Sequence, residues 1–315
     1  MRITVVGAGA IGGFIAAALA RSGIDTAVVA RGAHLEAIRD RGIRVRGDLG
    51  SFSARVDAAS DLRDLPPADA LLLTFKAHQW PSFMEQLAPL SKTQMPIVTL
   101  QNGIPFWFER TPPLETVDPG GRIGTLFGDE QVIGGVVHVS GHVPSPGTIV
   151  QSGGMRYLLG EASERNSERI ERLAEAMRAA GLQPEIDGQL RRSVWYKLVG
   201  NASLNPVSVL TGMTVGQMVR DRAALEEIRK LMIEGLEVGR ALGLVDDIER
   251  EAESRIAYAS RLDDVKSSML QDAEAGRSLE IDPIIGALIE IADRRGVAVP
   301  RERALYERLR APTAR

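Results

Sequence analysis

A chain of 315 residues with 44% hydrophobic residues, 25% charged residues and 32 glycines has the composition of a folded protein, which excludes a disordered, fibrous or low-complexity one. At roughly 150 residues per domain, that length predicts about two domains. Lys+Arg at 38 against Asp+Glu at 41 gives a net charge of -3, and aromatic residues are only 4%, which argues against a broad basic field or a stacking surface for nucleic acid or anionic lipid.

The chain has no cysteine, which excludes disulfides, thiolate metal sites and cysteine nucleophiles and points to a reducing compartment. The apolar run after Met1-Arg2 is broken by glycines, unlike a signal peptide. Arg21 and Asp25 close the longest apolar stretch before it reaches the ~18 residues of a membrane span. The expectation is a soluble, cytoplasmic protein that makes no use of a membrane or of nucleic acid.

Ile3 to Val6 is a β-branched run; Gly7, Gly9 and Gly12 follow, then an Ala-rich segment from Ile11 to Ala20 closed by Ser22-Gly23. The order reads strand, tight turn, helix. A GxGxxG alone is a weak signal, and its place between a strand and a helix is what gives it weight. There the first glycine permits the bend, the second lets backbone approach a pyrophosphate, and the third lets helix pack closely on strand. The helix N-terminus turns unpaired N–H groups toward the phosphates. Gly7, Gly9, Ala10, Ile11 and Gly12 are therefore candidate dinucleotide-binding residues.

Three more apolar runs, Ala27 to Ala30, Ala70 to Phe75 and Pro96 to Leu100, end at Arg31, Lys76 and Gln101-Asn102-Gly103. Continuous apolar runs at crossover spacing suit parallel strands covered on both faces, whose ligands sit beyond the carboxyl ends. Arg31, Lys76 and Asn102 fall there with the glycine turn. An NAD site usually places an acidic residue at the end of the second strand. Here the sequence is Ala30-Arg31-Gly32, so either Arg31 pairs with a 2'-phosphate, favouring NADP(H), or it is an ordinary solvated arginine.

A Gly/Pro-rich stretch, Thr111 to Gly154, carries β-like runs at Val132 to Val139 and Thr148 to Val150. Arg156 to Leu159 reads as a strand, Glu168 to Ala180 as an amphipathic helix and Gly181 to Ile186 as a last strand. A boundary near Gly188 divides the chain into 1–188 and 189–315, and the pattern beyond it is helical.

Lys197, Asn201 and Asn205 are four apart, which sets them on one stripe of a helix. Asn is a poor helix former, so two of them in a largely apolar helix are placed to hold something polar, against the plainer reading of a wet face. Pro206 is expected to kink or end that helix. Further on, Ser278 fits a cap and Glu280 and Pro283 a first helical turn, and pattern alone assigns them nothing more. His34, His78, His138 and His142 show no metal spacing, and no metal is expected.

With Gly7-Ala-Gly-Ala-Ile-Gly12, Leu73-Thr-Phe-Lys76-Ala-His-Gln79, Gln101-Asn102-Gly103, Trp195-Tyr-Lys197 through Asn201 to Asn205-Pro206, and Ser268-Met-Leu-Gln-Asp272 with Glu280-Ile-Asp282, the chain resembles the ketopantoate reductase (2-dehydropantoate 2-reductase) family over nearly its whole length. The resemblance implies an α/β N-terminal Rossmann dinucleotide-binding domain and a C-terminal all-helical domain, with the active site in the cleft between them. It implies NADPH-dependent reduction of 2-dehydropantoate to (R)-pantoate, a step toward pantothenate and coenzyme A. On it, Lys197 is the general acid, Glu280 binds the substrate hydroxyl, and Asn201, Asn205 and Ser268 hold the substrate. Lys76 and Asn102 lie by the nicotinamide and Arg31 by the 2'-phosphate; a homodimer is the expected assembly.

The chain departs from the family pattern at Ile285, where an Asn is common, at Val265, with Asp264 beside it, and in the long segment from Phe106 to Gly121. These differences bear on substrate identity. The other readings are a dehydrogenase of another 2-keto or 2-hydroxy acid or an opine-type product, and a non-catalytic NADP-binding sensor. A sensor has no need of Lys197 and Glu280.

Overall fold

The computed structural model describes residues 1–165, 167–262 and 265–311, so Asp264 lies outside the described residues. The chain divides into two compact units, one made of 1–101 and 121–190, the other of 102–120 and 191–315.

The first unit is built on one sheet of β1 (Arg2–Val6), β2 (Asp25–Val29), β3 (Ile43–Gly47), β4 (Gly50–Ala54), β5 (Asp57–Ala59), β6 (Ala70–Leu73), β7 (Ile97–Thr99), β8 (Val132–Ser145), β9 (Thr148–Glu161) and β10 (Gln183–Ile186). Their order is β4-β3-β9-β8-β7-β6-β1-β2-β5, with β10 beside β9. Its helices are α1 (Ala10–Arg21), α2 (Gly32–Arg41), α3 (Trp80–Leu87), α4 (Arg122–Leu126) and α5 (Glu168–Ala179).

From β5 through β2, β1, β6 and β7 to β8, neighbouring strands are parallel. The β8–β9 and β3–β4 pairs are antiparallel, so the sheet is mixed. The separate short runs of 132–139, 148–150 and 156–159 turn out to be the two arms of one long hairpin. Residues 138–145 of β8 and 152–156 of β9 are exposed or half-buried and polar or glycine-rich for the most part, which is why pattern alone breaks the hairpin up.

Register places the parallel strand ends level. Val6 is opposite both Val29 and Leu73, and Leu73 is opposite Thr99, so Gly7, Arg31, Thr74 to Lys76 and Gln101 all follow the same edge of the sheet. Phe14, Ile15 and Leu19 of α1 are fully buried against the sheet in one apolar cluster with Val5, Ile149 and Tyr157. Each such side chain contributes about 1.5–3 kcal/mol by leaving water.

The second unit holds α6 (Leu190–Thr211, entered from the first unit at Leu190), α7 (Val215–Arg220), α8 (Arg222–Ala241), α9 (Ile248–Ala259), α10 (Ser268–Glu274), α11 (Ala287–Arg295) and α12 (Pro300–Arg310), with a π turn over Asp282–Gly286 before α11. Trp195 of α6 is fully buried and its Nε1 donates to the Gly235 carbonyl of α8 at 3.1 Å. A Cβ on Gly239 would lie 2.3 Å from that nitrogen, so glycine there is what lets α8 close on α6. The helix runs on through Pro206 to Thr211.

The segment 102–120, which precedes the expected boundary near Gly188, packs with the helices. Phe108 stacks on Trp195 with ring centroids 6.0 Å apart, and Arg191 donates to its carbonyl. Glu290 of α11 accepts from the Glu115 and Thr116 amides at 2.9 Å each, while Arg294 donates to the carbonyls of Pro112 and Pro113 at 2.7 and 2.6 Å. The long segment is thus a strap on the helical unit. Among the described residues no helix is long and apolar enough to cross a membrane, and no group of three or more His, Cys, Asp or Glu could hold a metal.

Candidate active site

In the first unit the glycine turn has the shape that a dinucleotide needs. Gly7 has φ +102° and a Cβ there would fall 2.7 Å from the Phe75 amide nitrogen. At Gly12 a Cβ would meet the Gly7 carbonyl and Thr74 Oγ1 at 2.2 Å, so α1 could not approach β1 with any side chain there. At Gly9, by contrast, a Cβ would meet nothing within 4 Å, which leaves that backbone open to a ligand. Gly9 caps α1 without a side chain of its own, and Ala10, Ile11 and Gly12 begin the helix with N–H groups that have no intrahelical acceptor. Those donors and the helix dipole suit a pyrophosphate.

Pattern reading missed Thr74, whose Oγ1 donates to the Gly7 carbonyl at 2.7 Å and so braces the turn. Its place just after β6 was the available signal. Arg31 lies over the Phe83 ring at 4.5 Å, with Nη2 donating to the Ser82 carbonyl at 3.3 Å. Phe83 in turn stacks on Phe75 at 4.4 Å. The guanidinium is therefore held on an aromatic platform at the end of β2. Lys76 follows Phe75, and its backbone N–H donates to Gln79 Oε1 at 3.1 Å.

In the second unit, Lys197 Nζ donates to Asn102 Oδ1 at 2.9 Å. Lys197 is part-buried by area, but its ammonium end is packed about by protein. Desolvation pulls its pKa down from 10.5 to about 8, and the nearby Glu280 carboxylate opposes that fall. Lys197, Asn102 and Glu280, separated widely in sequence, are thereby brought together. Asn201 and Asn205 follow Lys197 along the same stripe of α6, Asn201 half-buried and Asn205 buried. The Asn205 carbonyl accepts from Ser208 Oγ, which also meets Ser267 Oγ. Ser268 is exposed at the start of α10, whose cap is the buried Ser267. Val265, where the family pattern has Asn, is exposed, and its carbonyl accepts from Val215 N–H at 2.9 Å. Ile285 is fully buried.

Residues 3–164 match the family described as ketopantoate reductase PanE/ApbA, and residues 189–313 match its C-terminal domain. This chain belongs to the ketopantoate reductase family. A 2-dehydropantoate 2-reductase of Mesorhizobium japonicum is 42% identical over 299 residues, 92% of this chain and 91% of that protein. The crystal structure of 2-dehydropantoate 2-reductase from Geobacter metallireducens, 30% identical, superposes with a TM-score of 0.87 over 98% of each chain. The same fold occurs in a D-mandelate dehydrogenase solved with NADH and anilino(oxo)acetate, at 20% identity and a TM-score of 0.85 over 98% of this chain and 96% of that one. Membership makes the chain an oxidoreductase with a Rossmann unit followed by a helical one.

Proposed function

We propose that this chain reduces 2-dehydropantoate to (R)-pantoate with NADPH, with Lys197 as the general acid. The observation that carries the reading is the Lys197 ammonium, fixed on Asn102 Oδ1 at 2.9 Å with its pKa drawn down to about 8. A bound reduced nicotinamide supplies the hydride to the C2 carbonyl carbon. As charge grows on the carbonyl oxygen, a placed ammonium stabilises it and hands it a proton. An ammonium has three N–H donors, and on this reading one of them turns to the substrate oxygen as charge develops there. An acid of pKa about 8 is largely protonated at neutral pH and still gives up its proton more readily than an ordinary lysine.

Glu280, close enough to act on the charge of Lys197, binds the substrate hydroxyl on this reading. Asn201, Asn205 and Ser268 hold the remaining polar groups of the substrate, including its carboxylate. Gly7, Gly9, Ala10, Ile11 and Gly12 cradle the cofactor pyrophosphate, Arg31 takes the 2'-phosphate, and Lys76 and Asn102 lie by the nicotinamide. The relatedness to named 2-dehydropantoate 2-reductases supports the substrate, and the cation of Arg31 in place of an acidic residue supports NADPH.

The deciding assay follows loss of reduced-nicotinamide absorbance with ketopantoate, a panel of other 2-oxo acids, and NADH as the control. Ketopantoate and NADPH should be the preferred pair. Faster turnover of a different 2-oxo acid would replace the substrate, and no turnover with any of them would sink the reductase reading.

A further inference from the structure

Both ring nitrogens of His34, which lies in the first turn of α2, are engaged. Gly147 N–H, in the turn of the β8–β9 hairpin, donates to Nδ1 at 3.0 Å, and Nε2 lies 2.7 Å from the Ala8 carbonyl oxygen. A nitrogen that accepts from an amide carries no proton. The neutral ring must then hold its proton on Nε2, which donates to Ala8. His34 thereby joins three segments, the glycine turn, α2 and the hairpin, through bonds that need one particular tautomer.

The Ala8 carbonyl and the Gly9 N–H belong to one planar peptide unit and point in opposite directions. Holding the carbonyl on His34 turns the Gly9 amide to the other side. Nothing in Gly9 itself enforces that orientation, because glycine accepts φ of either sign at little steric cost, and a Cβ at this position would meet no neighbour within 4 Å. A flip of this peptide would present a carbonyl oxygen where an anion's oxygens are to bind. The preceding peptide has separate braces: Ala8 N–H donates to the Val29 carbonyl at 3.3 Å, and Thr74 Oγ1 holds the Gly7 carbonyl. His34 supplies the brace for the next one.

We propose that His34 is a positioning residue for the cofactor: its Nε2–H holds the Ala8 carbonyl and so keeps the Gly9 amide turned toward the pyrophosphate. The proposal rests on the dinucleotide reading of the glycine turn. It differs from the binding residues already named, because His34 acts through the Ala8–Gly9 peptide rather than on the ligand.

The test uses the full chain and NADPH. His34→Phe keeps a ring but loses both bonds, whereas His34→Gln keeps a donor of similar reach. His34→Phe should weaken NADPH binding by about tenfold, the scale of one lost hydrogen bond with its partner left unpaired. At saturating NADPH, kcat and the KM for the keto acid should stay within about twofold of the starting chain, since the reacting groups are untouched. His34→Gln should recover most of the lost affinity. Long-range proton–nitrogen NMR of the unsubstituted chain should show a neutral His34 ring protonated on Nε2.

His34→Phe that folds and binds NADPH as tightly as the unsubstituted chain overturns the proposal. So does a ring protonated on Nδ1, a measurement that needs no variant. If His34→Phe lowers thermal stability and keto-acid turnover while leaving NADPH affinity alone, the residue only supports the fold and the proposal is again overturned. Failure of the unsubstituted chain to bind either NADPH or NADH would remove the dinucleotide reading itself, and is told apart by needing no comparison between variants.

Discussion

Gly103 lies so close to Pro283 that a Cβ on it would sit 2.4 Å from the Pro283 carbonyl oxygen. That oxygen is already the acceptor for Ile104 N–H at 2.8 Å, and Gly103 has φ +84°. The strap that carries Asn102 is therefore pinned on the π turn that begins two residues after Glu280. The backbone just after Asn102 and the backbone just after Glu280 are thus held against each other.

Gly103→Ala should accordingly disturb the site as well as the fold. A side chain at positive φ costs about 1 kcal/mol, and a backbone clash that cannot relax by rotamer change adds to it. Expected are a lower melting temperature and a fall in kcat larger than the rise in KM, as Asn102 moves off Lys197. Calorimetry with steady-state kinetics checks this, and a variant matching the unsubstituted chain in both would show that the contact yields freely.

On the proposed mechanism, Lys197 sets the pH dependence. With its pKa near 8, keto-acid reduction should be flat through neutral pH and fall about tenfold per unit once the ammonium is lost above that value, while the reverse oxidation gains. Lys197→Ala should lower kcat by about 10² or more and abolish that limb. The sign for stability is opposite. Between pH 8 and 10.5 the folded chain has released a proton that the unfolded chain still holds, so stability from this residue climbs with pH across that window. Comparing melting temperatures with those of Lys197→Met over the same range isolates the contribution, and a constant difference between the two would mean that burial does not shift the lysine.

The glycine turn and the strand ends were legible because each depends on local constraint: continuous apolar runs mark buried parallel strands, and Gly7 and Gly12 mark places with no room for a side chain. The stripe from Lys197 to Asn205 was legible from helical spacing. What eluded the pattern depends on partners far away in the chain. Glu290 holds Thr116 across 174 positions, and nothing near either residue announces the other. The part His34 plays is not written in the sequence, because its acceptor and donor are backbone groups of Ala8 and Gly147, which leave no mark on residue type. The β3–β4 pair alternates arginine and serine with apolar residues over short lengths, too little to separate from a loop.

On the proposed NADPH reading, Arg31 is the residue that selects between the two nicotinamide dinucleotides. Its guanidinium already rests on Phe83 and retains donors for a phosphate, so little ordering remains to be done when an anion arrives. Arg31→Ala should weaken NADPH by about 10- to 100-fold, the range for a hydrogen-bonded charge pair, and leave NADH nearly unchanged. Binding titrations with both dinucleotides check it. Equal losses would make Arg31 a brace for the Phe83 platform rather than a selector.

Glu302 tests a part of the molecule that the reaction does not use. It stands in the first turn of α12, fully buried, with neither carboxyl oxygen hydrogen-bonded among the described residues. The helix is capped instead by Glu234, which accepts from the amides of Arg301 and Glu302 at 3.1 Å. Burial, together with the neighbouring charges of Glu234 and Glu227, pushes the Glu302 carboxyl well above the ordinary carboxylate range, so it folds as the neutral acid. Above about pH 4.5 the unfolded chain gives up this proton while the folded chain keeps it, and stability must fall as pH rises toward the folded value. Glu302→Met fills the same space without a polar group and should add about 1–3 kcal/mol at neutral pH, with the gain growing as pH rises. Urea unfolding of both chains at pH 5 and pH 8 measures it, and a Met variant no more stable at the higher pH would mean that the carboxyl finds a partner in solution.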